Sequence, residues 1–399
     1  MPLAILGVPL YIYLPTYYAT NINLSLSSVG ILLFIARLTD VISDPFFGYI
    51  SDYSQKTFDS KKPIMIIGLI ILILSFYLLI NPNKEYASFY LFLCSILVYG
   101  GWSMINIPYL SWSAEITTNY YEKSKLNASR ELFTILGLIT ALLIPYFLNS
   151  SENLEKTLNI LFITFILLII PFFTISLFFI KPKIIKKSEN YSFKDIKNLY
   201  KTIPKLKNLH LAYFLNNTAN AFPATLFLLY IATVIKEESF SGLVLISYFI
   251  AGVLALPIWI ILSKKIAKID IWKYSIILAS CAFIFIPFLN ENDLVLFIII
   301  SIISGLSLGA DITFPSSIHS DIVQKNSNEH TGLLFGIWSM ISKISLAFSI
   351  AFSFIILDFV DFDKTNSSQI AIFTIMILYG VMPIILKVFS LFIIKNYKE

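Results

Sequence analysis

Charged residues are scarce in this chain: Asp, Glu, Lys and Arg make up 13% of its 399 residues, about half of what a soluble domain carries. So thin a polar complement cannot cover a water-soluble globule, and it excludes that class. Cysteine is scarcer still. Cys94 and Cys281 both fall inside apolar runs, so they read as small core residues and not as a disulfide or a metal pair. The first apolar run begins almost at Met1, with no basic segment before it and no small-residue cleavage pattern after it, so no cleaved signal peptide is expected. No organic cofactor and no nucleic-acid partner are expected either.

What the chain has in abundance is apolar surface, 57% of its residues, with 16% aromatic. Crossing a hydrocarbon core of about 30 Å takes about 20 residues of helix. Runs of that length recur at 2–20, 29–51, 63–81, 87–113, 127–149, 158–180, 208–235, 243–263, 271–289, 294–316, 331–357 and 369–394. The expected fold is an all-α, multi-pass membrane protein with twelve spans. Six lie in 1–180 and six in 208–399, on either side of a segment, 181–207, that holds nine lysines against Glu189 and Asp195. That segment reads as a basic cytoplasmic linker that anionic lipid could touch. Most basic residues fall on the linker's side of the membrane, and only Lys84, Lys156, Lys236 and Lys364 fall in loops on the other. Lys and Arg near span ends are kept in the cytoplasm, so both termini are expected there.

Against this background, charges within spans stand out. Arg37, Asp40 and Asp44 are spaced i, i+3 and i+7, which puts them on one helical face with Ser43 beside them. An ionisable group at that depth costs at least about 2.5 kcal/mol, so it faces the protein interior and marks an ion or substrate path. Two carboxylates one turn apart form a cation trap for Na⁺, or the pair could share a proton instead. A plain interhelical salt bridge with Arg37 or Arg130 is the bland alternative. In the fourth span Trp102, Ser103, Asn106, Tyr109 and Ser113 form a polar and aromatic stripe, with Pro108 within it. Hydroxyl, amide and indole groups facing a cavity suit a polyol, whose CH face stacks on aromatic rings. The same groups could serve helix packing.

Arg130 and Glu131 open the fifth span, and Lys343 lies midway along the eleventh with no acid beside it in sequence. Lys343 therefore needs a carboxylate from another helix, and Asp40, Asp44 and Asp311 are the candidates. Lys387, near the end of the last span, is expected to snorkel to the surface. Asp311 and His319 fall in or near the tenth span. His319 reads as a tolerated interfacial histidine, with a proton relay as the sharper alternative. Asp321 is expected at the cytoplasmic exit.

Arg37-Leu-Thr-Asp40-Val-Ile-Ser-Asp44-Pro45-Phe-Phe-Gly48-Tyr-Ile-Ser-Asp52, followed by Lys61-Lys62-Pro63 and Gly68, resembles the second helix and following loop of the glycoside/pentoside/hexuronide:cation symporters. That family belongs to the major facilitator superfamily. Asn106-Ile-Pro108-Tyr109, Arg130, and Lys343 after Asp321-Ile-Val agree, and the resemblance covers nearly the whole chain. It implies two six-helix bundles and alternating-access symport of a sugar or glycoside with Na⁺ or H⁺. It implies further that Asp40 and Asp44, with Ser43 and Ser103, bind the cation. Asn106, Arg130, Trp102, Tyr109 and Trp338 would line the substrate site, and Arg37, Lys343 and Asp311 would form a coupling network. Gly48, Asp52, Lys61, Lys62 and Asp321 would form the cytoplasmic gate, with Ser263, Lys264 and Lys265 as a weaker counterpart in the second half. A monomer in the bacterial inner membrane is implied.

The chain departs from the family pattern at four places, one of them Ser43 where an amide ligand is expected, which leaves Na⁺ and H⁺ both open. Asn106 stands where a sugar-binding acid is expected, Leu110 replaces a tryptophan, and the acid expected early in the first helix falls near Leu3. A galactoside is therefore not specified, and a lysolipid or other amphiphile held by Arg130 or Lys343 is the alternative cargo. A membrane-embedded prenyltransferase is the distant alternative, because Asp40 and Asp44 form half of an aspartate-rich Mg²⁺ site. The chain has no second such motif.

Overall fold

The computed structural model describes residues 1–147, 153–180, 200–291, 293–326, 330–362, 368–395 and 397. Most of the expected linker, 181–199, lies outside the described residues. All regular structure among the described residues is helical. In chain order the helices are α1 (Pro2–Val8), α2 (Leu14–Thr20), α3 (Leu26–Phe58), α4 (Lys62–Ile80), α5 (Ala87–Glu115), α6 (Tyr120–Phe147) and α7 (Leu154–Phe179). They continue as α8 (Pro204–Tyr230), α9 (Ser241–Leu262), α10 (Lys268–Phe283), α11 (Leu294–Asn326), α12 (Thr331–Phe359), α13 (Gln369–Met376) and α14 (Met382–Ile394). Single π-helical stretches join α1 to α2 at Pro9–Tyr13 and α13 to α14 at Ile377–Val381.

Among the described residues nine helices are long and apolar enough to cross a membrane. Helix also occupies the other three expected segments, in α1 with α2, in α3 and in α6. The exteriors are apolar: Phe178, Phe179, Leu254 and Phe359 are exposed, the last at 82%, while many aspartates, lysines and serines are buried. This reversal of the soluble pattern suits hydrocarbon solvent, where every polar group must be satisfied inside the protein.

Two helices run well past their expected ends. The crossing expected at 29–51 is α3, which starts where Ser25 Oγ accepts from the Ser28 amide at 3.2 Å and stops at Asp59, left-handed with φ 51°. The crossing expected at 294–316 is α11, which continues to Asn326. Apolar periodicity marks the length inside lipid. The polar extensions stay helical because their side chains find partners within the protein, and these extensions carry Asp52 and Asp321.

The chain divides into two compact units. One comprises the described parts of Met1–Thr118, Ser129–Asn190 and Val323–Met340, the other those of Asn119–Ala128, Tyr191–Ile322 and Ile341–Glu399. The first unit therefore includes the start of α12, and the second the start of α6.

In the first unit α2, α4, α5 and α7 share a core. Phe76 meets Phe162 and Phe165 edge-on with centroids 5.4 and 6.2 Å apart, and Tyr18 Oη donates to the Leu79 carbonyl at 2.8 Å. Helices α4 and α5 touch at backbone level, since a Cβ on Gly101 would lie 2.9 Å from the Gly68 carbonyl oxygen. Small residues permit this approach, and Ser103 lies half a turn further along α5. In the second unit Tyr230 stacks on Tyr379 at 4.2 Å and donates to the Ile286 carbonyl at 2.9 Å, which ties α8 to the stretch between α13 and α14.

Candidate functional site

Asp40 and Asp44 lie one turn apart on α3, and both are buried. Ser103 Oγ reaches across from α5, 2.6 Å from Asp44 Oδ1 and 3.3 Å from Asp40 Oδ1. A hydroxyl has one proton to give, and the distances assign it to Asp44. Two carboxylates thus converge on one neutral oxygen. Arg37 Nη1 stands 3.5 Å from Asp40 Oδ2, the outer limit of a hydrogen bond, and its guanidinium also lies over the Tyr99 ring at 4.6 Å from the centroid. Two acids and a hydroxyl meet here beside the Arg37 guanidinium. These are hard oxygen donors of the kind that hold a small monovalent cation or a proton. The Ser43 hydroxyl donates to the Asp40 carbonyl at 3.1 Å.

Trp102, Asn106 and Tyr109 are half-buried, whereas Trp112 is fully buried with the Tyr109 ring edge-on to it at 6.3 Å. Arg130 pairs with its neighbour Glu131 at 3.2 Å, and both act electrostatically on the Tyr109 hydroxyl. Trp338, on the part of α12 within the same unit, is buried.

The residues expected at the cytoplasmic gate separate into two clusters, one per unit. In the first unit Asp52 caps α12, its Oδ1 accepting from the Gly332 amide at 2.7 Å and its Oδ2 from the Leu333 amide at 2.8 Å. A carboxylate is favoured there by the unpaired N–H groups and by the helix dipole. Lys61 Nζ lies 3.4 Å from Asp52, donates to Ser111 Oγ at 2.8 Å and Thr331 Oγ1 at 2.7 Å, and is bonded to Glu115. All of these side chains are buried. Gly48 lets the helices meet, because a Cβ on it would lie 2.3 Å from the Gly332 carbonyl oxygen. Lys62 instead bonds the Leu177 carbonyl on α7, a correction to its expected place in the gate.

Asp321 belongs to the second cluster, not to the Asp52 group. It is buried between Lys123 at 2.8 Å and Lys268 at 2.5 Å, and Lys268 Nζ lies 3.7 Å from the Tyr120 ring centroid. Lys268, rather than Lys264 or Lys265, is thus the lysine that engages an acid here. Glu115, Ser111, Thr331, Lys123 and Lys268 were missed from the sequence. The available signal was position: Lys61 and Lys268 each sit at a helix start, and Glu115 and Asp321 each near a helix end.

Asp311 also departs from expectation. Its Oδ1 accepts from Asn216 Nδ2 at 2.8 Å and Trp272 Nε1 at 2.9 Å, and its Oδ2 from Asn220 Nδ2 at 2.8 Å and Lys387 Nζ at 3.1 Å. Lys387, expected to snorkel, is buried and is the ammonium that neutralises Asp311. Asp311 thus sits in a network with Asn216, Asn220, Trp272 and Lys387. His319 is fully buried beside His210, with ring centroids 5.1 Å apart, and the Tyr200 hydroxyl is 2.6 Å from His210 Nδ1. His319 is therefore an interior residue. Burial pushes the Tyr200 hydroxyl up to about 12, so it stays protonated at neutral pH.

The chain matches the family described as MFS/sugar transport protein over residues 1–398. It is 22% identical to the inner membrane symporter YicJ of Escherichia coli (strain K12), over 97% of this chain and 86% of that protein. It is 27% identical to the uncharacterized symporter YnaJ of Bacillus subtilis (strain 168), where the match spans 35% of this chain and about a third, 32%, of the relative. Among solved structures, that of FucP, a major facilitator superfamily transporter in the outward conformation, shares the fold with a TM-score of 0.68. That match covers 98% of each chain at 12% identity. The chain is a multi-pass membrane protein. It belongs to the MFS/sugar transport protein family of the major facilitator superfamily.

Proposed function

We propose that the protein is a secondary symporter that couples Na⁺ or H⁺ to a sugar or glycoside, most simply as a monomer in a bacterial inner membrane. The observation that carries this reading is the convergence of Asp40 and Asp44 on the Ser103 hydroxyl. A cation arriving there neutralises a buried acid pair and so favours substrate binding. By linkage the substrate then raises cation affinity by the same factor, a coupling of typically about 1–3 kcal/mol. The half-buried Trp102, Asn106 and Tyr109 offer ring faces and an amide to a polyol, the Arg130–Glu131 pair offers donors and acceptors, and Trp338 completes the set. Twelve spans in two six-helix bundles, 1–180 and 208–399, with cytoplasmic termini, give the alternating-access frame. Asp52, Lys61, Glu115 and Thr331 serve as a cytoplasmic latch holding the start of α12 on α3.

Uptake into proteoliposomes tests this reading. A panel of sugars, glycosides and lysolipids is offered under a Na⁺ gradient, a Li⁺ gradient or a pH gradient, with wild type and Asp44→Asn. Uptake of a sugar or glycoside that depends on one cation, and is lost in Asp44→Asn, is expected. Cation-driven uptake that persists in that variant would overturn the ion-site assignment, and uptake confined to lysolipids would overturn the cargo.

A further inference from the structure

The second unit holds a cavity of about 380 Å³ that the proposed transport cycle does not use. Its body is apolar and aromatic, with Phe227, Phe249, Phe283 and Tyr379 among its walls, and one end is formed by Asn220, Asp311 and Lys387. The hydrogen-bond inventory at that end defines what could enter. Asp311 already accepts four bonds, from Asn216, Trp272, Asn220 and Lys387, so its lone pairs are filled and its charge is neutralised. A cationic ligand finds nothing there. The Lys387 ammonium has three N–H groups, and two are directed at Asp311 and Asn216, which leaves one donor.

Further hydroxyls line the cavity, among them those of Thr225, Ser304 and Ser307. Thr225 Oγ1 is buried with no hydrogen-bond partner, an arrangement that is costly unless something fills it. The Ser304 and Ser307 hydroxyls donate along their own helix, to the carbonyls of Ser301 at 3.0 Å and Ser304 at 2.6 Å, so toward the cavity they can only accept. The cavity therefore presents a donor at its charged end, acceptors on α11 and a body of aromatic rings. Ala224 and Leu228, also in its wall, are exposed.

We propose that this cavity is a second binding site, for a neutral aromatic alcohol or phenol, whose oxygen accepts from Lys387 and whose hydroxyl donates to Ser304 or Ser307. Its volume falls in the range of pockets for small organic ligands, about 300–1,000 Å³. A positive charge on the ligand is disfavoured, because it meets the neutralised, saturated Asp311.

The probe is 2-naphthol, titrated calorimetrically into the full-length protein in detergent, with empty micelles as the blank. Wild type is expected to show saturable, one-to-one binding above the blank. Ser304→Phe, which fills the cavity from α11, is expected to weaken binding at least tenfold, and Ala279→Met, which fills it from α10, supplies the same test if the first variant fails to fold. The double variant Lys387→Met/Asp311→Asn removes donor and acid together and is expected to weaken binding several-fold. The cationic analogue 2-naphthylmethylammonium should bind at least tenfold more weakly than 2-naphthol. A wild-type signal equal to the micelle blank would overturn the proposal. So would unchanged affinity in the folded cavity-filling variant, or equal affinity for the cation. Because the readout is binding without transport, the outcome is independent of the symport reading.

Discussion

Asp44 in the first unit and Asp311 in the second are both buried on membrane-length helices, but their surroundings treat the negative charge in opposite ways. Around Asp311 four donors are fixed at 2.8–3.1 Å, among them the Lys387 ammonium. That carboxylate is matched in charge and full in geometry. Around Asp44 a second acid, Asp40, competes for the same serine hydroxyl, and the nearby guanidinium of Arg37 is at 3.5 Å from Asp40 and shared with Tyr99. A closed network holds a fold together, whereas an acid pair with shared donors has something to gain from a mobile cation. Burial alone therefore does not mark an ion site.

Substitutions separate the two sites. The largest expected effect is Asp44→Asn, which should reduce cation-driven uptake at least 100-fold in proteoliposomes while leaving the amount of folded protein in the membrane unchanged. Lys387→Met should act on stability instead. It strands a buried carboxylate, a change that costs about 3–5 kcal/mol, and should lower the thermal unfolding midpoint in detergent. Adding Asp311→Asn should restore most of the loss, since the pair is then removed as a unit. If both variants abolished uptake and neither altered stability, the distinction between an ion site and a structural network would fail.

Effects of intermediate size are expected at the latch. Gly332→Val places side-chain atoms where a Cβ would already lie 2.5 Å from the Gly48 carbonyl oxygen. Overpacking of this kind costs about 1–3 kcal/mol and should loosen α12 from α3, read as faster hydrogen exchange at the Gly332 and Leu333 amides that Asp52 now holds. Protection unchanged at those amides would remove Asp52 capping from the account. An effect of comparable size is expected from Ser103→Ala, which deletes one hydrogen bond to a charged group, about 1.5–3 kcal/mol. It should weaken cation activation of uptake about ten- to a hundredfold without abolishing it.

Much of this arrangement was legible in the sequence, for identifiable reasons. Arg37, Asp40 and Asp44 stood out because charge within an apolar run is expensive, and helical spacing placed them on one face. Helix–helix partners were not legible. Nothing in the sequence links Lys387 to Asp311, 76 residues away, or Lys268 to Asp321, 53 residues away, so Lys387 read as a surface lysine and Lys268 went unnoticed. Glu115 was hidden in the same way, since its partners Lys61 and Thr331 come from two other helices. Helix ends were misjudged where polar residues continue an α-helix beyond the hydrocarbon, as at residues 52–58 of α3. Those continuations carry the latch, so apolar periodicity understated the part of the fold that surrounds it.

The most direct test of the central claim is thermal stabilisation of the purified protein by Na⁺, by Li⁺ and by acid pH, measured for wild type, Asp44→Asn and Lys387→Met/Asp311→Asn. A cation-dependent rise in unfolding temperature that vanishes in Asp44→Asn and survives in the double variant is the predicted result. A rise that survives in Asp44→Asn, or that is lost only when Asp311 and Lys387 are replaced, would contradict it.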